Sequence, residues 1–207
     1  MSSTSTSDAP AVATRNRRPA LLLFLLFLAP LAFAFWLYYG SGWRPSGHTN
    51  HGELINPARP LPTVGLAPVG GGAIVPTAFE GKWSLVVIGQ GDAASQGCDA
   101  GCREALIYAR QTWLSLGREL TRVQRVLLAT AGCCDAEFLR REHEGLMALQ
   151  AGAPEAAALL ANFPQPASGN VFVVDPRGNL MMRYDIRKDP KGLRVDLKKL
   201  LELSHIG

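Results

Sequence analysis

The chain has 207 residues, 47% hydrophobic and 18% charged, which suits one globular domain plus an appendage. Arg15, Arg17, Arg18 and Asp8 are the only charged side chains before residue 40, leaving 18 of the 21 basic and 16 of the 17 acidic ones beyond it. That near balance, with no basic stripe interleaved with aromatics, speaks against nucleic acid as a partner.

Residues 1–19 are Ser/Thr/Ala-rich, polar and aperiodic, as expected of a disordered tail. Ala20 to Tyr39 is twenty residues without a charge, long enough to cross a bilayer core. Its eight Leu and four Phe, at roughly −0.3 to −0.6 kcal/mol each, favour insertion over the single Pro30. Basic residues flank only its N-terminal side, so the positive-inside rule keeps Met1 in the cytoplasm, with Trp36, Tyr38 and Tyr39 as an outer aromatic belt. The alternative is a signal peptide cleaved after Ala32-Phe33-Ala34. The apolar run continues five residues past that point through bulky aromatics, which favours an anchor. Either way the later domain lies in an oxidising compartment.

Residues 40–76 hold Pro45, Pro57, Pro60, Pro62 and Pro68 and then Gly70-Gly71-Gly72, and read as an extended linker. His48 and His51, three apart within it, are a weak metal pattern without a third ligand close by.

A globular domain is expected over 77–207. Trp83-Ser84-Leu85-Val86-Val87-Ile88-Gly89 is a short Val/Ile-rich run, the pattern of a strand buried on both faces. Gly89 to Gly97 reads as a loop. Cys98-Asp99-Ala100-Gly101-Cys102 follows it, and Leu106, Ala109, Trp113, Leu116 and Leu120 then mark a helix lying on a sheet. Val123 to Thr130 is a second strand, parallel to the first through a right-handed crossover. Cys134 to Asn162 reads as helical, broken near Gly152-Ala153-Pro154. Asn170–Val174 and Leu180–Tyr184 form a hairpin through Asp175-Pro176-Arg177-Gly178-Asn179, with a bulge at Gly178. A last amphipathic helix spans about Lys191 to Ser204. The order strand-helix-strand, helical insert, strand-strand-helix is that of a thioredoxin-like α/β fold, a central mixed sheet flanked by helices, preceded by one transmembrane helix.

These residues resemble the Sco/SenC family of membrane-anchored, thioredoxin-fold cytochrome oxidase assembly proteins. The likeness is carried by Gly81-Lys82-Trp83-Ser84-Leu85, by Cys98-x-x-x-Cys102, by the following helix and by Val173-Val174-Asp175-Pro176-Arg177-Gly178-Asn179. The resemblance implies copper delivery or thiol reduction during assembly of the oxidase copper site. It makes Cys98 and Cys102 the redox thiols and copper ligands, and oxidase subunits or copper-site proteins at a bacterial-type inner membrane the partners. The outer domain would then be periplasmic. The family adds a histidine from the loop before the hairpin. Here Phe163 to Gly169 contains none, and Asp99 stands where the family's motif has proline. The carry-over stops at Cys98 and Cys102. A general thiol–disulfide oxidoreductase, or a docking subunit without chemistry on the same scaffold, are the other readings.

Cysteines at i and i+4 on a helix share one face, with Cα atoms roughly 6 Å apart, so a Cys98–Cys102 bridge is sterically open. A helix N-terminus and Arg103 would lower the Cys98 pKa. Cys133-Cys134 ends the second parallel strand, at the same sheet edge. The four cysteines allow three connectivities, and a four-sulfur metal cluster is a further option. Other donors in the sequence are His143, His205, Met181 and Met182. No GxSxG, Walker, HExxH or GxGxxG pattern is present.

Overall fold

The computed structural model describes residues 17–41, 49–92, 97–130, 133–167 and 169–207. Residues 1–16 of the expected tail, His48 and Ser168 lie outside them. The chain divides into two compact units, residues 1–47 and 48–207.

Among the described residues the first unit has one helix, α1 (Arg18–Tyr39), with Pro19 in its first turn, where a missing N–H costs nothing. Its 22 residues extend about 33 Å, its mean hydropathy is 2.6 and none of its residues is buried. It is long and apolar enough to cross a membrane.

The second unit is built on a six-stranded mixed sheet. In chain order its strands are β1 (Glu53–Pro60), β2 (Trp83–Gly89), β5 (Val123–Ala129), β6 (Leu146–Gln150), β7 (Asn170–Val174) and β8 (Asn179–Asp185). Their spatial order is β1-β8-β7-β2-β5-β6. A two-stranded ribbon, β3 (Gly91–Asp92) and β4 (Gly97–Cys98), lies between β2 and β5 in the chain. The helices are α2 (Ala100–Leu114), α3 (Ala136–Glu142), α4 (Ala157–Leu160) and α5 (Gly192–Leu203). β2, β5 and β6 are parallel, whereas β7 runs antiparallel to β2 and β8 to β7.

β2 is buried at every position, as its unbroken apolar run predicts. Alternation along the central strands divides the core into two layers. Leu85, Val87, Leu127, Val171 and Val173 face Ala105, Leu106 and Ala109 of α2 and Leu193 and Leu197 of α5. Val86, Ile88, Val126, Leu128 and Phe172 face Leu66, Phe79, Leu159 and Phe163 on the other side. At the hairpin, Gly178 takes a left-handed φ of 81° and the register slips between Val173 and Val174. Asp175 Oδ1 closes the turn by accepting from the backbone N–H groups of Arg177 (2.9 Å) and Asn179 (2.8 Å).

Three stretches differ from the sequence reading. Residues 53–60, read as linker, form the edge strand β1, paired with β8. Its outward positions are exposed and its prolines sit where an edge strand tolerates them. Residues 146–150, read as helix, form β6, because pairing with β5 overrides the helix propensity of Leu, Met, Ala and Gln. The stretch between β2 and the first cysteine, read as a loop, carries the β3–β4 ribbon.

β1 is held at its start by one buried carboxylate. Asp196 Oδ2 of α5 accepts from His51 N (2.7 Å), Gly52 N (3.0 Å) and Tyr184 Oη (2.8 Å). Burial and this neighbouring carboxylate push the Tyr184 phenol well above its usual pKa, so it stays a donor. Asp196→Ala strands two buried donors, Gly52 N–H and Tyr184 Oη, each costing roughly 1–3 kcal/mol without a partner. Urea unfolding should therefore show a loss of at least ~2 kcal/mol, and hydrogen exchange should rise first at Gly52 and Glu53.

Candidate functional site

Parallel pairing places the carboxyl ends of β2 and β5 side by side, with Gly89 opposite Ala129. Thr130 locks the two ends together: its N–H (3.0 Å) and its Oγ1 (2.8 Å) both donate to Gly89 O. The chain leaves β5 toward Cys133 and Cys134, and Cys133 N–H returns to Thr130 O at 3.0 Å. The β3–β4 ribbon brings Cys98 to the same edge, one residue before Asp99, the N-cap of α2. Cys102 sits in the first turn of α2, where Asp99 Oδ1 accepts from its N–H at 2.7 Å. Asp99, which departs from the resembled motif, thus has a local role: it starts the helix.

The four cysteine sulfurs lie within 4.8 Å of one another. Cys98 and Cys134 are bridged, with Cα atoms 5.0 Å apart, inside the usual disulfide range. Cys133 Sγ is in contact with the same Cys134 sulfur and lies 3.3 Å from Cys98 Sγ. A sulfur holds one disulfide partner at a time, and the 3.8 Å Cα separation of the neighbours Cys133 and Cys134 is below the usual range. Cys98–Cys134 is therefore the bridge and Cys133 the adjacent third sulfur. Cys102 keeps a free, buried thiol. The expected pair Cys98 and Cys102 shares one cluster, but the bond runs from Cys98 to Cys134.

Cys134 has φ of 71°, the left-handed region that a non-glycine residue enters at a cost of roughly 1–2 kcal/mol. That turn carries its sulfur back toward Cys98 before Asp135 caps α3. Gly89 completes the space. A Cβ there would run into Cys133 Sγ and come within 3.3 Å of Cys102 Sγ. A glycine closing an apolar strand beside a cysteine pair is the sequence signal for this cradle, and sequence reading took it only as a loop start.

The sulfurs differ in exposure. Cys98, Cys102 and Cys134 are buried, whereas Cys133 is half-buried and lines a groove of about 350 Å³. Burial first, then the Asp99 carboxylate, pushes the Cys102 thiol up to about 12, against a smaller opposing effect of Arg103. The Arg103 guanidinium is itself held on Cys98 O, with Nε donating at 3.1 Å.

No histidine joins this group among the described residues. His51 pairs with Asp189 at 2.8 Å. His143 closes α3 against the Phe138 ring, and burial, then Arg125 and Arg110, lowers its pKa. His205 lies in the exposed C-terminal tail. Met182 is buried in the core beside Tyr184, and Met181 is half-buried. As a copper donor set the cluster is all sulfur. Cys98, Cys102, Cys133 and Cys134 suit soft Cu(I), and the imidazole that Cu(II) favours is missing from it.

A family model described as "Transmembrane-like, thioredoxin-like, C-terminal domain" matches residues 83–204. No curated protein matches the chain in sequence. Among solved structures, yeast Sco1 superposes with a TM-score of 0.58 at 16% identity, covering 72% of this chain and 98% of that one. Apo Sco1 from Thermus thermophilus gives 0.55 at 21% identity, covering 75% and 99%. Copper-bound ScoI from Bradyrhizobium japonicum gives 0.51 at 16% identity, covering 67% and 98%. At these identities the likeness is one of fold, and the domain has the thioredoxin-like architecture of Sco/SenC proteins.

The Cys102 environment can be read by alkylation. With the Cys98–Cys134 bridge closed, a thiol pKa near 12 in place of 9.0 leaves about a thousandth of the usual thiolate at pH 8. Iodoacetamide should label native Cys102 about 1000-fold more slowly than the unfolded chain, as followed by mass spectrometry. The sign follows from a raised acid pKa: the folded state holds its proton more tightly, so this contribution to stability is present below pH 9 and is lost as pH rises toward 12. Labelling at an ordinary cysteine rate would contradict the buried placement.

Proposed function

The chain belongs to the family of transmembrane-like, thioredoxin-like C-terminal domains, and on that premise we propose that it is a membrane-anchored thiol protein of the periplasm, assisting cytochrome oxidase assembly by thiol–disulfide exchange. The observation that carries this reading is the Cys98–Cys134 bridge with a third sulfur, Cys133, 3.3 Å from Cys98. A disulfide opens only when another thiolate attacks one of its sulfurs. This cluster keeps such a sulfur within reach, at the carboxyl edge of parallel strands where sites form on open α/β sheets. A purely structural bridge needs no third sulfur beside it. The apolar helix α1 supports the anchor, and the basic residues before it support an outward-facing domain. The oxidase as client rests on the Sco-like fold alone. A general oxidoreductase would use the same thiols on other clients, and a docking subunit would use none.

Full-length protein in detergent, equilibrated with glutathione redox buffers, tests the exchange reading. The bridge should open and close reversibly between roughly −300 and −150 mV, and Cys98→Ser, which removes the sulfur that both Cys133 and Cys134 reach, should abolish the transition. A bridge that stays closed well below about −300 mV would be structural and would contradict it.

One observation favours a second use of the same cluster: with the bridge closed, all four sulfurs lie within 4.8 Å of one another, so reducing it leaves four thiols in one place. We propose that the reduced chain then holds copper as Cu(I), with Cys98 and Cys102 among its ligands. Copper bound there would supply a soft-metal cargo for transfer to a client site. Gly89 leaves the space in which the thiols converge, and the buried walls around Cys98 and Cys102 exclude water. Titration of the reduced protein should show stoichiometric Cu(I) uptake with sulfur-only scattering in X-ray absorption, and loss in Cys98→Ser and Cys102→Ser. Nitrogen in the first coordination shell, or uptake unchanged in both variants, would contradict it.

A further inference from the structure

In a thioredoxin-like domain the cysteine at the start of the first helix is the natural candidate to meet a partner, because the helix N-terminus favours its thiolate. Here that position is closed: Cys98 is 3% exposed and Cys102 is fully buried. Cys134 is also buried. Cys133 alone of the four is half-buried, and it forms part of the wall of a groove of about 350 Å³ at the carboxyl ends of β5 and β6. Val69, Ala129, Thr130, Gln150, Gly152 and Ala153 line the rest, and Gly152 and Ala153 are small and exposed. The groove gives an incoming disulfide room beside Cys133 Sγ.

We propose that Cys133 is the catalytic thiol that exchanges with the partner, and that Cys98 and Cys134 resolve and store the resulting bridge behind it. This rests on the exchange reading above. In the reduced protein the Cys133 thiolate attacks one sulfur of a partner disulfide. A Cys133–partner bond forms, the partner's S–S bond breaks, and its other sulfur leaves as a thiolate that takes up a proton. Cys98, 3.3 Å away, then attacks Cys133 Sγ as a thiolate and expels the second partner sulfur, leaving a Cys98–Cys133 disulfide. Cys134 attacks Cys98 in turn, freeing Cys133 and leaving the Cys98–Cys134 bridge that the structure holds. Two protein thiols are oxidised and the partner disulfide is reduced to a dithiol. An external dithiol run through the same steps in reverse restores the reduced protein. Cys102 takes no part in the sequence.

Oxidised glutathione is the probe, with full-length protein in detergent, acid quenching and peptide mass spectrometry. In the Cys98→Ser/Cys134→Ser double variant, which lacks both resolving sulfurs, one glutathione per chain should accumulate on Cys133 and none on Cys102. Cys133→Ser alone should oxidise at least ~100-fold more slowly than the unsubstituted chain, the scale of a thiol shut off from solvent. Ala153→Trp retains every cysteine and narrows the groove, and should slow the reaction several-fold, which separates access from any folding defect of the cysteine variants. Oxidation of Cys133→Ser and Ala153→Trp at the unsubstituted rate, with the adduct of a Cys133→Ser/Cys134→Ser chain on Cys98, would overturn the role of Cys133 while leaving exchange intact. No reaction of the unsubstituted chain with glutathione would overturn the exchange reading and this proposal together.

Discussion

The site depends on the parallel register of β2 and β5. Because Gly89 stands opposite Ala129, the segments leaving the two strands emerge at one edge, and cysteines separated by 36 residues reach bonding distance. The buried Val/Ile/Leu layers on both faces hold that register, since a one-residue slip would turn every core side chain to the wrong face. Thr130 fastens the two strand ends at the point where the sulfurs begin. Without this pairing the cysteine motif would be two thiols on a helix. With it, the motif is half of a four-sulfur cluster.

Gly89 and Cys134 show what the cluster requires of the backbone. Gly89 has an ordinary φ, so the absence of its side chain matters there and conformational freedom does not: a Cβ would occupy the space of Cys133 Sγ. Cys134 has a side chain and adopts a positive φ nonetheless. Such conformations persist where the surrounding structure over-determines them, and they concentrate at functional sites. One departure from the resembled family falls at the same place: Asp99 caps the helix in place of proline and holds the N–H of Cys102.

Much of this was legible in the sequence, for identifiable reasons. β2, β5 and the β7–β8 hairpin announce themselves through short apolar runs bounded by turn residues, and α2 and α5 through their helical periodicity. β1 was hidden because an exposed edge strand with two prolines has the composition of a linker. β6 was hidden because its residues favour helix, and only its neighbour β5 makes it a strand. The meeting of Cys133 and Cys134 with Cys98 and Cys102 at one sheet edge follows from topology and could be foreseen. The bond itself could not, because pairing depends on side-chain directions set by the β3–β4 ribbon and by the left-handed turn at Cys134.

The claim on which the rest stands is that the bridge crosses from the first strand-helix junction to the end of β5. Tryptic digestion at acid pH, of protein alkylated but not reduced, separates the two halves cleanly. Cleavage after Lys82, Arg103, Arg125 and Arg140 puts Cys98 and Cys102 on one peptide and Cys133 and Cys134 on another. The account predicts these two peptides as one disulfide-linked species, with Cys102 and Cys133 alkylated once the chain is unfolded in the reagent. Two separate peptides, with Cys98 bonded to Cys102, would contradict it.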